Sequence, residues 1–265
     1  MRKERKLNLM NEKNKLNPTL QNPHIWPPFT QLTSAQPQLL VEKAKDALLF
    51  PKNKAPIIDG ISSWWVTLHG HANEHIAKAI AIQAEQLEQI IFADFTHPQA
   101  ELLANRLSKL TGLEKLFFSD NGSTAVEVAL KMARQWWKNK SDNRSQIIAF
   151  EGAYHGDTFG AMAVGARNIF SEPFDQMLFP VSRVPWPDTW WGDEDFQKRE
   201  NEALETLENL LETPTIAVIL EPLVQGAGGM RMVRPEFLVE VEKRIRQANS
   251  LLITDEVLTG FGRCG

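Results

Sequence analysis

Four short polar groups in this chain carry side chains able to do chemistry: Asp120-Asn121-Gly122-Ser123-Thr124, Gly152-Ala153-Tyr154-His155-Gly156-Asp157, Glu221-Pro222 and Asp255-Glu256. The first puts small residues at a strand-to-helix junction. Free N–H groups and the positive end of the helix dipole there can hold a phosphate, and Ser123 or Asn121 can add side-chain bonds. An ordinary capped helix start is the competing reading of the same residues. Tyr154 is the single tyrosine in a chain with 14 Phe and 8 Trp. A flat ring among glycines suits stacking on a planar ligand, or a lid over the core. Asp255 ends the apolar run Leu251-Leu252-Ile253-Thr254. A carboxylate there can ligate magnesium beside a nucleotide or hold a proton on a ring nitrogen. The nucleotide reading lacks its other half, because the chain has no G-x-x-x-x-G-K-[ST] and no lysine follows Gly122 until Lys131.

Two further groups have simpler readings. His69-Gly70-His71 has a known metal-ligand spacing, but no second set of Cys, His or carboxylates with matching spacing accompanies it. A turn into a helix, with His75 in the first helical turn, is the expectation, and no metal is expected. Trp64-Trp65, after Asp59-Gly60-Ile61-Ser62-Ser63, is either core or an apolar wall for an elongated or adenine-bearing substrate. Trp136-Trp137 and Trp190-Trp191 read as structural.

The elements that must position these groups alternate. Apolar spacing predicts helices over 74–91, 99–111, 124–138, 199–212 and 236–248, with Gly112 as a stop and Pro235 as a first-turn proline. Short apolar runs predict strands at 116–118, 147–150, 216–220 and 251–254. Strands separated by helices of this length imply right-handed crossovers and a largely parallel sheet, an α/β core from about residue 62 onward. Each polar group follows a predicted strand, and ligands of such sheets bind beyond the carboxyl ends of the strands. Four coincidences of this kind point to one composite site.

Composition narrows the class. The chain has 265 residues, 43% hydrophobic and 23% charged, with a net charge of −4, so no global basic field draws it to nucleic acid. No apolar run reaches the roughly 18–20 residues that span a bilayer. The single cysteine, Cys264, forms no internal disulfide, and a reducing, cytoplasmic location is expected. Residues 1–22 are basic, Asn-rich and without aromatics, and read as a solvated tail.

These pieces, in this order, resemble the class III aminotransferases, pyridoxal-phosphate enzymes of fold type I. The resemblance runs from about His24 to Gly265. It rests most on His24-Ile25-Trp26-Pro27-Pro28-Phe29-Thr30, Asp59-Gly60-Ile61-Ser62-Ser63-Trp64-Trp65, the stretch Tyr154 to Met162 and Glu221-Pro222-Leu223-Val224-Gln225-Gly226-Ala227-Gly228-Gly229-Met230, whereas Asp255 to Arg263 is shared across the family and discriminates less. The resemblance implies that Asn121, Gly122 and Ser123 form the cofactor phosphate cup and that Tyr154 meets both the pyridine ring and the substrate. It implies further that Asp255 pairs with the pyridinium nitrogen, Val257 covers the other ring face and Glu221 joins the polar network around them. Trp64 aligns with a tryptophan contacting both substrates. Phe29 stands where many members have a tyrosine that meets adenine; it keeps the stacking face and loses the hydroxyl.

Within the family the resemblance is to the biotin-biosynthesis members. It implies S-adenosylmethionine as amino donor, 8-amino-7-oxononanoate as acceptor, 7,8-diaminononanoate as product and a homodimer when full length. The alternatives are another class III enzyme for ω-amino acids or diamines, and a non-catalytic binding or subunit module. By the same resemblance, residues 23–61 belong to the small domain and 62–265 to a cofactor-binding large domain. The family's Schiff-base lysine follows the aspartate by roughly thirty residues. The last lysine here is Lys243, so no catalytic residue is expected within the chain. It is expected to be an amino-terminal fragment, inactive by itself, that lacks the C-terminal small domain.

Overall fold

The computed structural model describes residues 22, 24–34 and 36–264; the expected basic tail, apart from Asn22, lies outside them. The chain forms two compact units, the first ending at Ala100 and the second running from Glu101.

In the first unit, β1 (Val41–Lys45), β2 (Leu48–Pro51) and β3 (Ile57–Ile58) form an antiparallel meander. Sequence periodicity did not signal it, because the strands are short and half-exposed. The Asp46-Ala47 turn between β1 and β2 is a backbone anchor. Asp46 and His71 exchange N–H···O bonds of 3.0 and 2.8 Å, and Asp59 N–H donates to the Ala47 carbonyl at 2.8 Å. Between these anchored points, Ser62–Trp65 coil into a left-handed helical turn, with φ of 49, 48, 57 and 69°. The turn closes through Trp65 N–H to the Ile61 carbonyl at 2.8 Å and Val66 N–H to the Ser62 carbonyl at 2.9 Å. None of its residues is glycine, so Cβ crowding costs about 1–2 kcal/mol per residue against the right-handed form. Helix α1 (Glu74–Gln86) follows, capped by Asn73, whose Oδ1 accepts from His75 and Ile76 N–H at 3.1 and 3.2 Å. It ends before the expected residue 91 because Leu87 turns extended, with φ −165° and ψ 106°.

Helix α2 (Pro98–Thr111) leads to Gly112, whose φ of 71° stops it. Next come α3 (Gly122–Asn139), β4 (Gln146–Phe150), α4 (Phe159–Val164), a 3₁₀ turn at Glu172–Met177 and β5 (Ser182–Val184). These are followed by α5 (Phe196–Leu211), β6 (Thr215–Leu220), the small hairpin β7 (Val224–Gln225) and β8 (Arg231–Met232), α6 (Pro235–Gln247) and β9 (Leu251–Thr254). The main sheet has the order β5-β4-β6-β9 and every pairing is parallel. Leu116-Phe117-Phe118, expected as a strand, adopts no strand conformation, and Phe117 is largely exposed. A strand is made by its ladder, and the run takes no place in this sheet.

Alternation within the strands fills both faces. Ile148, Phe150, Val218 and Leu220 meet Ala203 and Leu207 of α5 and Phe237, Val241 and Ile245 of α6. Ala149 and Ile219 meet Val126 and Leu130 of α3 and Ala161 and Val164 of α4. Phe150 packs edge-on against Trp186 and Phe237 at centroid distances of 5.5 and 6.3 Å. Of the tryptophans expected as structural, Trp137 is buried, and its Nε1–H donates to the Ile216 carbonyl at 2.8 Å, whereas Trp136, Trp190 and Trp191 are exposed.

The strand order places the ligand crevice. The connection from β4 runs through α4 to β5 on one side, and the connection from β6 runs through α6 to β9 on the other. The chain therefore reverses its direction of winding between β4 and β6, and the opening beyond their carboxyl ends is the site such a sheet offers.

Candidate active site

Asn121, Gly122 and Ser123 open helix α3 through a capping box. Asn121 Oδ1 accepts from Thr124 N–H at 3.0 Å, and Thr124 Oγ1 accepts from Asn121 N–H at 3.1 Å. The Asn121 oxygen, a candidate for direct contact with a phosphate, is thus committed to the cap. The box satisfies the third helical N–H and leaves those of Gly122 and Ser123 free for an anion, in line with the helix dipole. Ser123 Oγ accepts from Asp157 N–H at 3.2 Å and keeps its own proton to donate. Gly156, at φ 119°, brings the loop after β4 so close that any Cβ there would overlap Ser123.

That loop carries Tyr154 and His155. Tyr154 N–H donates to Glu221 Oε1 at 2.9 Å, while its hydroxyl donates to Asp157 Oδ2 at 2.9 Å. Partial burial and then the bond to Asp157 push the phenol up from 10.0 to about 12, so the ring stays neutral at ordinary pH. Glu221, just past β6, is only 5% exposed. Its second oxygen accepts from Gly226 N–H at 2.9 Å, so one carboxylate ties the loop after β4 to the hairpin loop across the crevice. Burial raises its pKa, against the lowering by its two N–H donors.

Asp255, at the end of β9, has 7% of its side chain exposed. Its Oδ2 lies 2.8 Å from His155 Nδ1 and its Oδ1 accepts from Val257 N–H at 3.1 Å. His155 Nε2 is buried and has no hydrogen-bond partner. A buried ring nitrogen without a partner is costly. Val257 is exposed and lies against α3, where a Cβ on Gly122 would come within 2.8 Å of its Cγ2. Bonds and packing therefore join Asn121-Gly122-Ser123, Tyr154, Glu221, Asp255 and Val257 into one cluster. No lysine is among them.

Two residues belong to this cluster without having been singled out: His155 and Asp157. The signal was available, since a carboxylate ending an apolar strand needs a donor and His155 is the imidazole in the neighbouring polar group. Phe29 and Trp64 form a separate pair in the first unit. Their rings meet edge-on at 6.0 Å and 67°, and both are more than half exposed. Trp64 is thus not core. His71 uses Nε2 to bind Asp59 Oδ2 at 2.8 Å.

The residues fit a planar phosphorylated cofactor: two free N–H groups and a hydroxyl at a helix start, a buried carboxylate, an aromatic ring and an aliphatic side chain. The fold is that of the pyridoxal-phosphate-dependent transaminases, and the chain belongs to the class III aminotransferases, whose family description, "Aminotransferase class-III", matches residues 30–265.

Within that family, the adenosylmethionine-8-amino-7-oxononanoate aminotransferase of Synechococcus elongatus is 55% identical over 247 residues, covering 92% of this chain and 58% of that protein. The yeast enzyme of the same name, from Saccharomyces cerevisiae, is 35% identical over 268 residues, covering 91% and 54%. The crystal structure of the Methanocaldococcus jannaschii enzyme of that name superposes with a TM-score of 0.82 at 31% identity, covering 97% of this chain and 56% of that one. A PLP-bound amine transaminase from an uncultivated Pseudomonas species gives a TM-score of 0.82 at 30% identity, covering 91% and 57%. The chain thus spans little more than half the length of the relatives it matches. Among the described residues, no helix is long and apolar enough to cross a membrane.

Proposed function

We propose that this protein binds pyridoxal 5′-phosphate in the crevice beyond β4 and β6 and moves the amino group of S-adenosylmethionine to 8-amino-7-oxononanoate, giving 7,8-diaminononanoate. The observation that carries this reading is the joining of three loops by the Ser123–Asp157, Tyr154–Glu221 and His155–Asp255 bonds, beside a helix start with two free N–H groups. The 55% identity to the Synechococcus elongatus protein supports the choice of substrates. When bound, the cofactor supplies an electron sink for breaking bonds at the amino-bearing carbon.

The chain's own residues supply the rest. Gly122 and Ser123 N–H groups and the Ser123 hydroxyl grip the phosphate. Asp255, oriented by His155 and Val257 N–H, holds a proton on the pyridine nitrogen, which keeps the ring electron-poor. Tyr154 and Val257 cover the ring, while Glu221 keeps the Tyr154 loop in place. Phe29 and Trp64 provide an apolar wall for the adenine and for the aliphatic chain of the ketone. The lysine that anchors the cofactor and shuttles the proton lies outside this cluster, and the working enzyme is a cytoplasmic homodimer.

The test is product formation by the full-length protein with each donor and acceptor. Formation of 7,8-diaminononanoate from S-adenosylmethionine is expected. Turnover of simple ω-amines or diamines, with none of 8-amino-7-oxononanoate, would overturn the reading.

A further inference from the structure

The left-handed turn Ser62–Trp65 is the most strained segment described, four consecutive non-glycine residues at positive φ. Backbone strain of this kind survives only where surrounding structure over-determines it. Here the surrounding structure is a polar clamp. Ser63 Oγ donates to Asp59 Oδ2 at 2.8 Å, and His71 Nε2 meets the same oxygen at 2.8 Å. The Asp59 and His71 side chains are 6% and 15% exposed. Hydrogen bonds from Ser63 N–H, from His71 and from the Ser63 hydroxyl hold the Asp59 carboxyl at about 2, below the ordinary 3.8. Both arms of the clamp start from one anchor, because Asp59 N–H binds the Ala47 carbonyl and His71 pairs with Asp46 through its backbone. Gly70, at φ 77°, passes so near that a Cβ would lie 2.9 Å from Asp46 Cα.

No residue of the turn is fully buried, and Ser62 and Trp65 are only partly covered. Trp64 projects at 61% exposure, and its ring contact is the edge of Phe29, itself 62% exposed. A right-handed turn at the same place would send the indole in another direction. For Trp64, which lies outside the core, what the strained turn fixes is orientation.

We propose that Asp59, Ser63 and His71 are positioning residues that hold the left-handed turn and thereby aim Trp64, with Phe29, as the apolar wall of the substrate site. This rests on the function proposed above for that wall, but the clamp can be tested without it. In protein labelled with 5-fluorotryptophan, the Trp64 fluorine line is identified by its loss in Trp64→Phe. Asp59→Ala should shift and broaden that line, together with that of Trp65 on the same turn, and leave those of the tryptophans outside the turn in place. Adding Ser63→Gly, which removes the Cβ penalty at φ 48°, should restore much of it. His71→Phe should have a weaker effect of the same kind.

In full-length enzyme, Asp59→Ala should raise the apparent KM for both substrates about tenfold while kcat changes less than about threefold, and Ser63→Gly should return part of the loss. An unmoved Trp64 line in Asp59→Ala would overturn the proposal. So would collapse of all the tryptophan lines in both Asp59→Ala and Asp59→Asn, which would make the role one of global folding. A displaced line with unchanged KM would leave the clamp standing and remove Trp64 from the substrate site.

Discussion

The two units hold their functional residues by opposite means. In the second, Tyr154, His155, Glu221 and Asp255 hang from the ends of sheet strands; all six residues of β6 and the last three of β4 are buried, and β9 is half-buried beside them. Hydrophobic burial does the ordering, and the polar bonds only fix side chains already brought close. In the first, Trp64 rides on a turn with no buried residue, held against steric strain by one carboxylate and its hydrogen-bond donors. The difference teaches where each kind of precision is placed. The residues proposed for the cofactor stand on a packed sheet, whereas Trp64, proposed for the substrate wall, stands on a strained, locally clamped segment.

Substitutions can break this contrast or sharpen it. Phe237→Ala, which removes one side of the aromatic group centred on Phe150, should cost about 3–5 kcal/mol in chemical denaturation and take cofactor absorbance with it. Glu221→Gln keeps the shape but leaves one of its two N–H donors facing an amide NH2, which cannot accept. A loss of about 1–3 kcal/mol is expected, with weaker cofactor retention, measured by equilibrium dialysis. Asp157→Asn should lower the Tyr154 phenol from about 12 toward 10.0, read directly from tyrosinate absorbance because the chain has a single tyrosine. The sign of the linkage follows: the folded value is the higher one, so this contribution to stability is complete below pH 10.0 and is lost as pH rises to about 12. Smallest in stability is Trp64→Ala, expected within about 0.5 kcal/mol of the parent because the ring is exposed. Its effect should appear as raised KM for both substrates with cofactor absorbance intact.

Much of the second unit was legible from sequence because its helices and buried strands carry strong periodicity; α3, α6, β6 and β9 fall within two residues of expectation. Helix α4 was not, since Phe159-Gly160-Ala161-Met162-Ala163-Val164 has no distinctive pattern. It is fixed by distant charges: Glu127 Oε1 accepts from Gly160 N–H at 2.6 Å, and Arg183 donates to the carbonyls of Ala163, Val164 and Gly165 at 2.7 Å. Those bonds suit the helix dipole at both ends, and burial lowers the Arg183 pKa to about 10. The candidate site was legible because three of its four polar groups follow strands of the main sheet, while the fourth, Asp120 to Thr124, opens α3 after a run that forms no strand. What sequence could not give was the division of labour: Asn121 serving the cap, His155 serving Asp255, and Glu221 bridging two loops. The left-handed turn was equally hidden, because nothing in Ser-Ser-Trp-Trp as a string requires positive φ.

The most direct test of the central claim is phosphorus NMR of pyridoxamine 5′-phosphate titrated into the protein, which needs no lysine to form a covalent link. The account expects a bound phosphate signal for the parent, about tenfold or greater weakening in Ser123→Ala, and loss in Gly122→Val, whose side chain would collide with Val257. Equal affinity in parent and both variants would put the phosphate elsewhere and contradict the assignment of the crevice.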